Sequence, residues 1–261
     1  MKNFNFKTAT STKEATKLFS GRSAFLAGGM TLLPAIKLRL AAYSDLINIK
    51  KIKGLSGIKA SSKSLKIGSA TTHFTVATSK EVMKSIPSLS FLAEGIGDPQ
   101  VRNRGTIGGS IANNDPAADY PSACLALKAI IHTTKRKIPA DKFFKGMFET
   151  DLKKGELIES IEFEIPEKSA YAKFPNPASR YAIVGVYVAK LKNEVRVAIT
   201  GASSSVFRSK ELEDALSSNF SEASINNINI SSKDLNSDIH ASEDYRAHLI
   251  KVMAQKAVSN C

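Results

Sequence analysis

The sequence predicts an α+β fold, on three observations. Apolar runs of strand length, such as Ala24 to Ala27 and Leu46 to Ile49, alternate with helical stretches in the first part of the chain. A polar segment with two prolines, Glu167 to Ser179, is the best candidate for a linker. Beyond it, Ala182 to Leu191 and Glu194 to Thr200 predict a pair of strands that is followed by helices.

The elements before residue 100 follow from periodicity and from helix start and stop signals. Thr12 and Glu14 mark the start of the first helix, and Gly21 lies just past its end. The predicted strands are Phe4 to Lys7, Ala24 to Ala27, Leu46 to Ile49, Leu55 to Lys59 and Leu65 to Ser69, and the predicted helices are Ser11 to Ser20, Leu32 to Leu40, His73 to Lys84 and Ser88 to Gly95.

Later elements are predicted in the same way. Pro121 to Ala129 reads as a helix because proline is tolerated in a first helical turn. Ile130 to Ile138 is expected to form a small hairpin, and residues 156 to 165 alternate apolar and charged side chains as a half-buried strand does. Further helices are predicted over Ser209 to Leu216 and Glu243 to Val258.

Composition indicates a globular protein without metal–thiolate chemistry. The 261 residues are enough for two modest domains or one large one. The sequence has no apolar run of membrane-spanning length and no apolar signal-peptide core at its start, so a cytoplasmic location is expected. Only Cys124 and Cys261 are present, which favours neither a disulfide framework nor an iron–sulfur cluster or other metal site in this chain.

The formal net charge of +13 admits several partners. Most of the basic residues are lysines scattered along the chain, which favours a solvated surface. An anionic dinucleotide and an acidic partner subunit are the next interpretations. Nucleic acid is the weakest, because no basic stripe is interleaved with aromatic residues.

The segment Gln100 to Asp119, QVRNRGTIGGSIANNDPAAD, is predicted to be a glycine-rich loop that binds an anion. Glycine leaves the backbone bare, so that successive N–H groups can converge on a phosphate. The spacing fits neither the Rossmann nor the Walker pattern, and the alternative is a surface loop rich in turn formers. A second pair, Gly28 and Gly29, follows a buried strand, and the two segments could hold one diphosphate between them.

No catalytic constellation stands out in the sequence. The four histidines are dispersed, none at a metal-ligand spacing, and a structural or surface role is predicted for each: His73, His132, His240 and His248. This pattern favours a scaffold for a redox cofactor over an acid–base enzyme.

These motifs resemble a known family. The segment QVRNRGTIGGSIANNDPAAD, together with LAGGMTLLPAIKLR, is similar to the FAD-binding medium subunit of the molybdenum hydroxylases, which include carbon monoxide, aldehyde, xanthine and nicotine dehydrogenases. The likeness continues through SRYAIVGVYVAKLKNEVRVAITGASSSVFRSKELEDAL and SDIHASEDYRAHLIKVMAQKAV to the end of the chain. It implies a two-subdomain FAD-binding domain of the vanillyl-alcohol oxidase (PCMH) type over residues 1–168, divided near residue 53. A C-terminal domain of antiparallel sheet and helices over residues 169–261 would follow.

The resemblance also implies site residues, because the AGG and TIGG turns of that family embrace the FAD diphosphate. Asp119 matches an acid that binds a cofactor hydroxyl, with a helix N-cap as its alternative. Lys173 and Tyr181 match a lysine and an aromatic residue beside the isoalloxazine ring, although either could be an ordinary surface or core residue. The implied FAD-binding set is Leu26, Ala27, Gly28, Gly29, Met30, Thr31, Leu32, Thr106, Ile107, Gly108, Gly109, Ser110, Asn113, Asp119, Lys173 and Tyr181.

The function that the resemblance implies is electron transfer through FAD. Electrons would come from 2Fe–2S clusters on a small subunit, which drains a molybdopterin site on a large subunit, and would leave to an external acceptor. The expected assembly is a dimer of heterotrimers, with the substrate selected on the large subunit. The alternatives are a stand-alone FAD-dependent oxidoreductase and, from another class, a basic nucleic-acid-binding protein.

Overall fold

The computed structural model describes residues 2–261 and begins with a small parallel sheet. Its elements, in chain order, are β1 (Asn5–Thr8), α1 (Thr12–Leu18), β2 (Ser23–Leu26), α2 (Leu32–Lys37) and β3 (Asp45–Asn48). Both β1 and β2 pair with β3 in parallel, so β3 is the central strand. The Ser11 side chain caps α1 by accepting a hydrogen bond from the Glu14 N–H at 3.1 Å.

The next elements build a second, larger subdomain around a five-stranded antiparallel sheet. They are β4 (Ile58–Ala60), β5 (Ser64–Gly68), α3 (His73–Thr78), α4 (Lys80–Ser85), α5 (Pro87–Glu94), α6 (Pro99–Arg104), α7 (Ile107–Asn113), α8 (Tyr120–Ala126), β6 (Ile130–Thr133), β7 (Lys137–Pro139), α9 (Ala140–Phe143), β8 (Phe144–Gly146), β9 (Glu149–Thr150) and β10 (Ile158–Glu164). The sheet order is β4-β5-β10-β6-β7, and β8 pairs separately with β9.

The chain ends in an antiparallel sheet that helices cover on both faces. Its elements are β11 (Lys168–Pro175), β12 (Ala182–Lys190), β13 (Val195–Thr200), β14 (Phe207–Arg208), α10 (Lys210–Ser218), a short 3-10 helix over Glu222–Ile225, and α11 (Glu243–Ser259). Helix α11 packs on β11 and β12, whereas α8 packs on β12 and β13 from the second subdomain. Tyr171 and Tyr187 accordingly belong to the core of that subdomain.

Several sequence predictions are confirmed and three are wrong. The hairpin over residues 130–138 is present as β6 and β7, and the alternating strand is β10. The single helix predicted over residues 73–84 divides at Ser79, which is extended and caps α4 through its side chain. The linker predicted over 167–179 is largely strand β11, which pairs with β12.

The glycine-rich segment at residues 100–119 is also different from its prediction. It is not a bare loop, because α6 and α7 occupy most of it. Asp98 caps α6 and Thr106 caps α7, and each side chain accepts a hydrogen bond from a backbone N–H three residues later. Because these two short polar side chains cap the backbone, helices begin where the composition alone indicates turns.

No helix in residues 2–261 combines the length and the apolar character that crossing a membrane requires.

Candidate functional site

A cavity of about 480 Å³ lies beside the N-terminal parallel sheet. Three segments line it: the turn after β2, the region around α7, and the loop before β12. The predicted site residues that line it are Leu26, Ala27, Gly28, Gly29, Met30, Thr31, Leu32, Thr106, Gly109, Ser110, Asn113, Asp119 and Tyr181.

The two glycine segments touch each other at one edge of this cavity. A Cβ atom built on Gly28 would lie 2.2 Å from the Arg104 carbonyl oxygen and 2.8 Å from the Gly105 Cα atom. Only glycine permits such an approach, because the atoms it meets are backbone atoms that no side-chain movement can clear. Positions more than 70 residues apart in sequence therefore form one continuous surface.

The turn after β2 offers unpaired backbone donors. Among the hydrogen bonds within residues 2–261, none is donated by a backbone N–H of residues 28 to 32. Gly29 has a φ of +76°, which turns the chain sharply between β2 and α2. A run of free N–H groups beside a cavity is an anion-binding arrangement.

The second glycine segment is different, because its N–H groups are already used. The Ile107 and Gly108 N–H groups donate to the Thr71 and Ser69 carbonyl oxygens at 3.1 and 2.8 Å. A Cβ on Gly108 would lie 2.5 Å from the Ser69 Cβ atom, so this glycine serves close packing. Ile107 and Gly108 are buried and do not line the cavity, and their contact with FAD stays a prediction.

Asp119 is the buried acid of the site. It is 3% exposed, accepts a hydrogen bond from the Tyr171 hydroxyl at 2.5 Å, and lies 2.9 Å from the Lys173 ammonium. Burial raises the pKa of this carboxyl, while Lys173 and Tyr171 oppose the rise. Asp119 occupies the N-cap position of α8, but its side chain makes no capping hydrogen bond there.

Lys173 stabilises the site through polar contacts and does not line the cavity. Besides its ion pair with Asp119, its ammonium donates to the carbonyl oxygens of Gly95 and Arg180 at 2.9 and 3.0 Å. It does not line the cavity, and its place beside a flavin ring stays a prediction. Through these bonds Lys173 fixes the loop that presents Tyr181 at the cavity wall, where 42% of Tyr181 is exposed.

Sequence reasoning missed two functional candidates, His73 and Arg180. His73 was expected to be structural or at the surface, yet it is 5% exposed and lines the cavity. Arg180 lines it as well and donates to the Gly97 carbonyl oxygen at 3.1 Å. A bridge between Thr72 and Thr106 brings His73 to the site, and no local sequence signal reveals that long-range contact.

The fold and the cavity together define a class of protein in which two glycine segments meet beside a cavity with free backbone donors. Residues 2–167 match the family model described as FAD binding domain in molybdopterin dehydrogenase, so the chain belongs to this family. The resemblance deduced from the glycine motifs is thereby confirmed, and the chain is an FAD-binding subunit of the molybdenum hydroxylase type.

Similar proteins extend the match over the full chain. The glyceraldehyde dehydrogenase medium chain of Sulfolobus acidocaldarius is 34% identical, and the alignment covers 97% of this chain and 96% of that one. The carbon monoxide dehydrogenase medium chain of Hydrogenophaga pseudoflava is also 34% identical, over 78% of this chain and 77% of that one. A solved structure of carbon monoxide dehydrogenase from the same organism matches with a TM-score of 0.90 at 30% identity, and the match covers 99% of this chain and 96% of that chain.

Proposed function

We propose that this chain binds FAD in the cavity between its subdomains and passes electrons through it, from iron–sulfur clusters of a small partner subunit to an external acceptor. The observation that carries the proposal is the meeting of the two glycine segments at one cavity, in a chain that matches medium subunits over nearly its whole length. FAD supplies the electron-accepting chemistry, and this chain supplies binding and orientation.

The residues present fit such a cofactor. The free N–H groups of residues 28 to 32 suit the diphosphate, because no side chain or backbone carbonyl competes for them. Thr106, Ser110 and Asn113 also line the cavity and carry hydroxyl or amide groups for sugar or phosphate oxygens. The Asp119 carboxylate suits a ribose or ribityl hydroxyl, since its two other partners are both donors.

Tyr181 is the aromatic wall in this proposal. Its ring lines the cavity on the loop that Lys173 and Arg180 secure. An aromatic face at this position would shield one side of a flavin ring from water. Lys173 acts on the ring indirectly, by setting the charge and position of Asp119.

The finer assignments are part of the same proposal. The domains divide near residue 168, which is supported by the start of β11 there, and the first domain is of the PCMH type with subdomains at about 1–53 and 54–168. The assembly is a dimer of heterotrimers with a molybdopterin large subunit, in the cytoplasm. The medium-chain names of the relatives support the multi-subunit part of this proposal.

The proposal is tested by purifying the chain and measuring its flavin content. We expect a yellow protein that releases one FAD per chain on denaturation. A colourless protein that takes up no FAD but retains oligonucleotides in a salt-dependent manner would support the nucleic-acid alternative instead. Oxidation of a substrate by the isolated flavinated chain, without partner subunits, would support a stand-alone oxidoreductase.

A further inference from the structure

The wall of the cavity beside the two glycine segments contains a buried histidine. His73 is the first residue of α3 and is 5% exposed. Its Nε2 edge lies against Gly105, since a Cβ on Gly105 would stand 2.6 Å from Nε2 and 2.8 Å from Cδ2. Gly105 in turn touches Gly28, so the imidazole stands at the junction of the two segments.

Neither ring nitrogen of His73 has a hydrogen-bond partner among residues 2–261. Nδ1 is enclosed by protein, and the hydroxyl of the neighbouring Tyr120 is enclosed and unpaired in the same way. The two rings lie 5.4 Å apart between centroids. Buried polar atoms are nearly always paired in folded proteins, so two adjacent unpaired groups indicate a partner that protein atoms do not supply.

The protonation state of the imidazole follows from its surroundings. Burial, with a smaller effect of the Arg102 charge, lowers the pKa of His73 to about 4, so the ring is neutral near pH 7 and carries one N–H. Burial also raises the pKa of Tyr120 well above its usual value, so its hydroxyl keeps a proton to donate. The Tyr120 hydroxyl makes no direct hydrogen bond to Nδ1, and one water bridging the two groups would place the imidazole proton on Nε2.

We infer that His73 is a cofactor-binding residue, whose Nε2–H donates a hydrogen bond to a diphosphate oxygen of the bound dinucleotide, and that Tyr120 is a positioning residue which sets the imidazole tautomer. The inference rests on the proposed FAD function. The diphosphate is the acceptor because Nε2 lies where the Gly28 turn, with its free N–H groups, meets the Gly105 backbone.

The test has two measurements. Flavin fluorescence monitors the titration of apoprotein with FAD, and ³¹P NMR reports on the bound diphosphate. His73→Leu should weaken FAD binding roughly 10- to 100-fold, as expected for loss of a hydrogen bond to a charged group. It should also shift the ³¹P resonances while the flavin absorbance bands stay in place. His73→Gln, which keeps an N–H donor, should recover most of the affinity, and Tyr120→Phe should have a smaller effect than His73→Leu.

Two controls separate this inference from its alternatives. His248→Leu changes an exposed histidine on α11 and should leave FAD affinity unchanged, and apoprotein melting curves show whether each variant is folded. Wild-type affinity in His73→Leu, or shifted flavin bands with unchanged ³¹P resonances, would overturn the inference while FAD binding itself stands. A wild-type chain that binds no FAD would overturn both.

Discussion

Replacing Gly28 with alanine is expected to push the two glycine segments apart. The added methyl group would lie 2.2 Å from the Arg104 carbonyl oxygen and 2.8 Å from the Arg104 carbonyl carbon and the Gly105 Cα atom. Carbon and oxygen atoms without a bond between them rest near 3.2 to 3.5 Å, so the two backbones must separate by about 1 Å. No rotamer change can relieve the contact, because every atom concerned belongs to the main chain.

The cost of this separation follows from overpacking and from lost ligand contacts. Forcing an extra methyl group into a closed contact costs typically ~1 to 3 kcal/mol of unfolding free energy. In the cavity, displacing the turn by about 1 Å weakens at least one hydrogen bond to the diphosphate, and such a bond to a charged group is worth roughly 10-fold or more in affinity. Gly28→Ala should therefore be less stable and should bind FAD at least about 10-fold more weakly.

The assay combines urea unfolding with FAD titration of the apoprotein. Gly146→Ala is the matched control, because a Cβ there would have its nearest neighbour, the Glu149 Oε2 atom, at an ordinary 3.6 Å. This control should behave like the wild type in both measurements. Wild-type FAD affinity and stability in Gly28→Ala would refute the claim that the glycine segments meet at the cofactor.

Three further outcomes are expected. Gly108→Ala should lower the unfolding free energy by ~1 to 3 kcal/mol, measured in urea, because its methyl group would overlap Ser69. Lys173→Met should lower it by about 3 kcal/mol, because the buried Asp119 carboxylate loses its cation, and the double variant with Asp119→Asn should recover part of that loss. Burial alone would raise the pKa of Glu156, but hydrogen bonds, those of the Arg136 guanidinium first among them, lower this pKa to about 2. Glu156→Gln should therefore lower the unfolding free energy by about 2 to 3 kcal/mol at pH 7. Between about pH 4.5 and pH 2, the unfolding free energy of this variant should fall less than that of the wild type.

The sign of the Glu156 prediction follows from linkage. The pKa of this carboxyl is lower in the folded than in the unfolded chain, so its stabilisation is present above the unfolded pKa and is lost as the pH falls towards the folded one. A wild-type chain whose unfolding free energy is flat between pH 4.5 and pH 2, relative to Glu156→Gln, would contradict the assignment. Circular dichroism at a series of pH values measures it.

The sequence predicts the order of elements and the two glycine segments well, because both depend on local patterns. Apolar strand runs and helix caps are local signals, and β10 shows the expected alternation of buried and half-buried side chains apart from the buried neighbours Ser160 and Ile161. Strand β11 was mistaken for a linker because Pro175 lies at its end and its pairing with β12 is visible only in three dimensions. Local chemistry gave a turn at residues 100–119, whereas the Thr106 cap starts a helix there.

The sequence predicts cavity-lining residues within the family motifs, but not those that only tertiary contacts bring to the cavity. The turn at residues 27–31 could be assigned from its position after a buried strand. His73 could not, because its role depends on the contact between Thr72 and Thr106 across the second subdomain. The sequence matches Lys173 to a lysine of the family but does not predict its contacts. A lysine near an acid can either contact a ligand or form an ion pair with the acid away from the ligand.

The two glycine pairs have different structural roles, although their sequences are similar. At Gly28 and Gly29, small residues leave N–H groups unpaired and open to the cavity. At Gly108 and Gly109, small residues let α7 press against Ser69, and the N–H groups are satisfied by the neighbouring chain and by Thr106. The first pair therefore acts through its own backbone, whereas the second acts by placing the Ser110 and Asn113 side chains at the cavity. A bulky residue at Gly28 should thus reduce both stability and ligand affinity, whereas one at Gly108 should reduce stability with a smaller effect on ligand affinity.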